Sequence, residues 1–270
     1  MKNTMQRIPH PLSAHRSQQG ISLFVVIVLV MLSMLIALWA SRTALFNEMI
    51  VGNDADYQRA FEAAQALLQD AELDVRGENS DGSTCVIDGG NGNVCRNTTQ
   101  DKIPLEEKEV ASLLADLDGA LGDAFNTTAS PNVPLTKCRN GLCLKRVALQ
   151  DFWNNTNAAS GITLAQMTSG VGARYGQYTG AAAGTTGSGS NSNPILADRS
   201  AANRGGWYWI EVLPYDSAAG NTGLVTNGSN NLALNLQPNV VYRVTAIAYG
   251  LKPNTRVVLQ QTYARQKRKD

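Results

Sequence analysis

The sequence lacks histidine over almost its whole length. Its two histidines, His10 and His15, both precede an apolar run that begins at Ile21. Their position excludes most Ser-His, Cys-His and zinc-hydrolase chemistry from the rest of the chain. No Gly-rich loop is followed by the Lys-Ser or Lys-Thr of a phosphate cradle. We therefore predict no catalytic, cofactor-binding or metal site, and we expect that the chain is not an enzyme.

The sequence also lacks an excess of charge of either sign. It has 23 basic and 22 acidic residues, a formal net charge of +1. Three of the basic residues lie in the first 20 positions, which contain no Asp or Glu, so 20 basic and 22 acidic residues follow. This balance argues against nucleic-acid binding, which normally needs a basic face. The basic run Arg265–Lys269 is predicted to be a solvated tail.

A long apolar run follows the basic leader. It extends from Ile21 to Ala40 without a charged residue. At about 1.5 Å per residue, it forms a helix about 30 Å long, enough to cross a bilayer core. The nearest upstream cation is Arg16. The positive-inside rule therefore predicts a cytoplasmic leader and an exported C-terminal part.

Three interpretations compete for this segment. The apolar core of a cleaved signal peptide has roughly 7–15 residues, and Leu38 fits poorly at a small-residue cleavage site. A plain single-pass anchor fits the length and the charge. A type IV prepilin leader is cut on the cytoplasmic side of the run and needs a Gly immediately ahead of it. Gly20 occupies that position.

The block after the apolar run distinguishes these interpretations. It contains an Arg42-Thr43 pair, a Glu48-x-x-x-Gly52-Asn53 stretch, and Ala-Phe-Glu-Ala-Ala over 60–64 followed by leucines. This block resembles the N-terminal region of the PilX family of minor pilins. The resemblance covers roughly residues 17–76, and the C-terminal segments 241–250 and 257–265 also resemble that family.

The resemblance implies a location, partners and a role. A prepilin peptidase cuts after Gly20 and methylates the new amine of Ile21. The subunit spans the inner membrane with its C-terminal domain in the periplasm, then joins other minor and major pilins in a surface pilus. It helps prime assembly and influences adhesion, aggregation or motility. A pseudopilin of a type II secretion system and a membrane-anchored periplasmic binding module remain the alternatives.

One position departs from the pattern of most pilins. They carry a Glu five residues into the mature chain, where it neutralises the terminal amine of the neighbouring subunit. This sequence has Val25 at that position. We therefore expect a minor, priming or tip-proximal subunit, since a chain without this Glu incorporates poorly as a repeating shaft subunit.

Four cysteines, at positions 85, 95, 138 and 143, lie beyond the apolar run. An exported location favours disulfides, and four cysteines allow three pairings. Sequence proximity favours Cys85–Cys95 and Cys138–Cys143. The second pair flanks Asn140-Gly141, a two-residue hairpin turn that places the cysteines opposite each other. Zinc binding is disfavoured because nine residues separate Cys85 from Cys95.

We predict an α+β fold in three parts: a leader over 1–20, a long helix over 21–76, and a periplasmic pilin domain over 77–270. Residues 21–40 are the transmembrane half of the helix, and its second half is amphipathic. Gly52-Asn53 is its weak point, a site for a kink or for unwinding during assembly. The helix is expected to pack on a C-terminal antiparallel sheet.

The remaining elements follow from local patterns. Pro104 is expected to open a second helix with an apolar face made of Val110, Leu113, Leu114, Leu117 and Leu121. Gly77 is expected to cap the first helix, and residues 154–206 to form surface loop with a short helix near 162–167. The stretch 88–93 slightly resembles a calcium-binding loop, but it lacks the carboxylate spacing of an EF-hand and is predicted to be a flexible loop. Strands are predicted over 207–213, 240–249 and 255–263. In the second strand, one face is expected to carry Val240, Tyr242, Val244, Ala246 and Ala248. Arg243 and Thr245 are expected to face outwards.

Overall fold

The computed structural model describes residues 19–85, 95–96, 102–104, 106–118, 136–146, 150–184, 193–214 and 236–266. The chain divides into two compact units, 1–52 and 53–270. We call the second unit the head. The calcium-like stretch 88–93 and the end of the basic tail, 267–270, lie outside the described residues.

The first element is a helix, α1, over Gln19–Arg76. It is continuous through Gly52 and Asn53. Gly77 ends it with a positive φ of 68°, and its amide donates to the carbonyl of Asp74. The amide of Glu78 donates to the carbonyl of Leu73. These two bonds form a Schellman motif. The motif requires a residue with a left-handed backbone conformation, which glycine adopts without strain.

The head contains two further helices and five strands. These are α2 over Glu107–Asp118, β1 over Cys138–Arg139, β2 over Leu142–Leu144, α3 over Leu164–Thr168, β3 over Gly206–Pro214, β4 over Leu236–Tyr249 and β5 over Arg256–Gln266. The strands form one sheet in the order β1-β2-β3-β4-β5. The predicted α+β class is confirmed.

The predicted antiparallel arrangement is confirmed for β3, β4 and β5, but the five-stranded sheet as a whole is mixed. The pairs β1–β2, β3–β4 and β4–β5 are antiparallel, but β2 pairs with β3 in parallel. Parallel neighbours need a crossover connection of a dozen or more residues, and the segment between Leu144 and Gly206 is long enough to supply one. The short β1–β2 hairpin therefore joins the C-terminal strands from the side of β3.

The second helix begins later than predicted. Residues 102–104 are not helical, and α2 starts at Glu107. Pro104 is buried ahead of the helix instead of occupying its first turn. The predicted apolar face is present, because Val110, Leu113 and Leu117 are buried.

One face of the sheet packs against α1 and α2. Both helices contribute buried small and apolar residues, and β3 and β4 contribute apolar residues at alternating positions. The predicted inward row of β4 is confirmed: Val240, Tyr242, Val244, Ala246 and Ala248 are all buried in this cluster. Alternation of side chains along a strand places them on one face.

The other face is also covered, which the sequence analysis did not predict. Residues 150–184, most of which belong to the predicted surface loop 154–206, pack on it through Phe152, Met167 and Val171, together with Trp207 and Trp209 of β3. Thr163 and Gln166 form a capping box at the start of α3. Residues 207–209 are all buried, so they offer no free aromatic surface. Thr245 is buried too, contrary to the expectation that it faces solvent.

Candidate functional site

The first unit presents an apolar helical surface. Over 21–51 every described side chain is exposed. Gly20 and Ile21 lie in the first turn of α1, and Val25, one turn later, is 48% exposed. By length and composition the helix can cross a membrane. Gly20, Ile21 and Val25 therefore lie in one stretch without charge, which ends before Arg42, whereas Gly52 and Asn53 lie beyond it.

Residues at the start of the head hold the β4–β5 turn. Asp56 of α1 is buried, and its carboxylate oxygens accept from the backbone amides of Leu251 at 2.8 Å and Lys252 at 3.0 Å. Burial raises the pKa of Asp56, but hydrogen bonds from Thr255 and these amides outweigh it, so the pKa lies below its ordinary value. The Lys252 ammonium donates to the Asn53 side chain at 3.0 Å. Asn53, which was predicted to be a weak point of the helix, therefore also binds the β4–β5 turn.

A glycine makes this turn contact possible. A Cβ on Gly250 would lie 2.3 Å from the Asp56 carboxylate and 2.6 Å from Thr255. Only a residue without a side chain lets the strand end approach the helix this closely. Helical spacing places Asp56 on the polar face of α1, inside the block that resembles PilX, but it does not predict that this carboxylate is buried against the turn.

A buried ion pair connects α1 to the segment after the first disulfide. Arg96 donates from Nε to Asp74 Oδ1 at 2.7 Å and from Nη2 to Asp74 Oδ2 at 2.6 Å. Tyr208 of β3 donates to the same carboxylate at 2.9 Å. The Arg96 guanidinium also stacks on the ring of Tyr178, 3.8 Å from its centroid. Both charged side chains are almost fully buried, and their bidentate geometry is the strong form of this pair.

Both disulfides adjoin this ion pair. Cys85–Cys95 places Arg96 directly after a crosslink, and Cys138–Cys143 closes the loop that contains Asn140. The Asn140 carbonyl accepts from Arg96 Nη1 at 2.9 Å. Asn140 and Gly141 have φ values of 50° and 82°, and Cys138 pairs with Cys143, as the two-residue hairpin requires. One disulfide therefore restrains the chain next to Arg96, and the other restrains the loop whose Asn140 carbonyl accepts its hydrogen bond.

A second buried carboxylate holds a loop against α1. Asp70 accepts from the Gly176 amide at 2.7 Å and from the Thr179 hydroxyl. Burial raises the pKa of Asp70 to about 6, and the nearby charge of Asp74 adds to this, while the two hydrogen bonds oppose it. Sequence spacing predicted a polar helix face here and missed the burial, because the covering loop lies about a hundred residues away along the chain.

We expect the raised pKa of Asp70 to make the head less stable as pH rises. The folded carboxyl binds its proton more tightly than the unfolded one, so this stabilisation is complete below about pH 4 and is lost as pH rises through about 6. The parent loses up to about 3 kcal/mol of unfolding free energy through this group between pH 4 and 7. Asp70→Asn removes that loss. Urea unfolding of both proteins at pH 4 and 7 checks it, and parallel pH dependences would contradict it.

The second sheet face carries a charged cluster of its own. Glu211 of β3 accepts from Arg243 Nε at 2.7 Å and Nη2 at 2.8 Å, and from the Arg146 amide at 3.1 Å. Arg243 was expected to face solvent, but its side chain is only 26% exposed, and it donates to the side chains of Glu211 and Gln150. Arg146 Nε lies 3.6 Å from Glu211, and Nε and Nη2 have no hydrogen-bond partner among the described residues.

The described part of the chain holds no group of three or more His, Cys, Asp or Glu side chains placed to bind a metal. Its buried carboxylates have amide, hydroxyl, phenol or guanidinium donors as partners. Their arrangement is that of structural contacts that join α1, the loops and the sheet.

Comparison with known families agrees with this architecture. A family model described as "Type IV pilus assembly protein PilX C-term" matches residues 93–265, more than half of the chain. A model described as "PilX N-terminal" matches residues 19–69. Comparisons with curated proteins and with solved structures give no match. The chain belongs to the PilX family of type IV pilus assembly proteins.

Proposed function

We propose that the chain is a minor pilin that is cut after Gly20, methylated at Ile21 and inserted into the pilus through residues 21–40. Before assembly it spans the inner membrane, with the leader in the cytoplasm and the head in the periplasm. The basic leader supports this orientation, and the two disulfides fit an oxidising compartment. Its partners are the prepilin peptidase and other minor and major pilins.

The exposed apolar surface of residues 21–51 carries this proposal. Contiguous apolar surface of this extent is not stable in water and has to be covered by lipid or by other subunits. The head, in contrast, has a buried core on both faces of its sheet. Such a division suits a subunit whose helix moves from a bilayer into a helical filament core while its head stays folded.

Membership of the PilX family favours a pilus over a secretion system. The family is a structural component, and we propose no catalytic role. We infer that the subunit acts at the start of assembly and so influences adhesion, aggregation or motility through the number and surface of the pili. Val25 supports the early, low-copy position, because no carboxylate is available there for the amine of a neighbouring subunit.

Val25→Glu tests this position in the pilus. We expect the variant to enter the shaft at about tenfold or more copies per pilus, because pairing with a buried amine removes an uncompensated charge. Quantitative mass spectrometry of sheared pili gives the copy number. Val26→Glu is the matched control. Val26 is 53% exposed in the subunit, and a glutamate at position 26 places the carboxylate one residue away from the position that pairs with the amine. Equal copy numbers for Val25→Glu and the parent would contradict the low-copy assignment.

A further inference from the structure

We propose that a basic pocket at the end of the β4–β5 hairpin binds the anionic headgroup of a membrane phospholipid. The pocket has a volume of about 540 Å³. Its lining includes Arg204, Tyr249, Lys252, Asn254 and Arg256. Its volume is in the range of small-molecule sites, which suits a headgroup with part of its glycerol.

The cations of the pocket have only neutral hydrogen-bond partners. Lys252 donates to the Asn53 side chain at 3.0 Å, and Arg204 Nη1 reaches the Leu251 carbonyl at 3.5 Å. Arg256 donates to the carbonyl of Trp153 at 2.8 Å and to the side chain of Asn154 at 3.2 Å. Within the described ranges, none of the three cations forms an ion pair with a carboxylate. An anion that enters the pocket therefore meets three cations that no described carboxylate contacts directly.

The nearest carboxylates, Asp56 and Asp198, lie within electrostatic range of Lys252 and Arg204, but their oxygens accept hydrogen bonds from other donors. Asp56 is buried and accepts from the amides of Leu251 and Lys252. Asp198 accepts from the amide and hydroxyl of Ser200 at 3.0 and 2.6 Å. Arg204 and Arg174 both lie close enough to Asp198 to interact with its charge, and Arg174 also donates to the Arg204 carbonyl at 2.8 Å. The end of the hairpin thus keeps a net positive charge, although the chain after the leader is slightly acidic.

The place of the pocket along the chain favours lipid as the source of the anion. Lys252 contacts Asn53, the first residue of the head, and residues 41–52 alone separate Asn53 from the end of the apolar run. Phospholipid headgroups are the anions that lie next to a membrane-spanning segment in every unassembled subunit. This step rests on the proposed membrane insertion of α1.

The exposed apolar residues of the head support the same ligand. In its described part, the large apolar side chains that are exposed are Tyr57, at 49%, and Leu251, at 41%. Tyr57 follows Asp56, whose carboxylate binds the Leu251 amide, so both residues flank the same contact. Aromatic and apolar residues beside cations are typical of segments that bind at a membrane interface.

Hydrogen exchange of the full-length protein in nanodiscs tests the proposal. One preparation contains phosphatidylcholine alone, and the other also contains phosphatidylglycerol. We expect amides 250–256 to exchange more slowly with phosphatidylglycerol, by roughly fivefold for each cation that engages the surface. The double variant Arg204→Gln/Lys252→Gln should lose this protection. The double variant Lys108→Gln/Lys145→Gln removes two exposed cations outside the pocket and should keep it.

The other outcomes overturn the proposal. Equal exchange in the two lipid preparations excludes an anionic-lipid site. Equal protection by inorganic phosphate in phosphatidylcholine discs assigns the pocket to a free anion. Protection that arises only when another pilin is added assigns it to an acidic protein partner. Because the subunit is reconstituted directly, these outcomes are independent of pilus assembly, and mass mapping of the leader separately tests the proposed processing.

Discussion

Replacing Arg96 with alanine will lower the unfolding free energy of the head by about 3–5 kcal/mol. The substitution leaves the Asp74 carboxylate buried with Tyr208 as its remaining described donor. It also removes the donor to the Asn140 carbonyl and the stack on Tyr178. Although burial would lower the pKa of Arg96, Asp74 raises it above its ordinary value, so the guanidinium stays charged.

Urea unfolding of the full-length protein in a nonionic detergent measures this loss. Fluorescence of the buried Trp207 and Trp209 reports on the head. The double variant Arg96→Met/Asp74→Asn is the control, because it removes both charges and leaves no uncompensated ion. We expect it to recover most of the lost stability. A double variant that is as unstable as Arg96→Ala would show that packing, and not the unpaired charge, dominates the effect.

Replacing Glu211 with alanine will also cost about 3–5 kcal/mol, because two guanidinium groups are then left together without a carboxylate. Arg146 and Arg243 both approach Glu211, and the Arg146 side chain is almost fully buried. Burial lowers the pKa of Arg146 to about 10, Glu211 opposes that shift, and Arg243 adds to it. Loss of Glu211 therefore destabilises the charged form of Arg146 further.

Arg146→Met is expected to have little effect, within about 1 kcal/mol of the parent, or to stabilise the head. Methionine keeps an apolar side chain over Phe152, which the Arg146 guanidinium now covers at 4.1 Å. Glu211 remains paired with Arg243, and the backbone amide of residue 146 still donates to it. The same urea experiment measures both variants. A loss above about 2 kcal/mol for Arg146→Met would mean that its charge is needed.

The sequence predicted the elements whose patterns are local. The uncharged run at Ile21, the glycine at 77 and the Asn140-Gly141 turn each specify their own backbone conformation, and the structure has all three features. The alternating residues of β4 likewise specified its core face. The two disulfides, Cys85–Cys95 and Cys138–Cys143, also join cysteines that are close together along the chain.

The covering of the second sheet face could not be read from local patterns in the same way. The segment 150–184 contributes few large residues, such as Phe152 and Met167, separated by Gly, Ser, Thr and Asn that suggest loop. The composition of β3 did indicate this covering, because β3 is largely apolar on both faces, which is typical of a strand that is buried on both faces of its sheet.

The polar contacts of the head depend on residues far apart in the chain. Asp70 meets Gly176, Asp74 meets Arg96 and Tyr208, and no periodicity links such positions. Helical spacing places both carboxylates on the predicted polar face of α1. Their burial follows from loops whose course is set by the tertiary structure.

The mature N-terminus of the chain in purified pili tests the central claim most directly. Mass spectrometry of sheared pili is expected to detect this subunit with a first residue of N-methylated Ile21 and no leader peptide. Substitution of Gly20 should leave the leader attached and remove the subunit from the pili. An intact leader on the parent protein in pili, or a mature chain that starts at another residue, would contradict the assignment as a processed minor pilin.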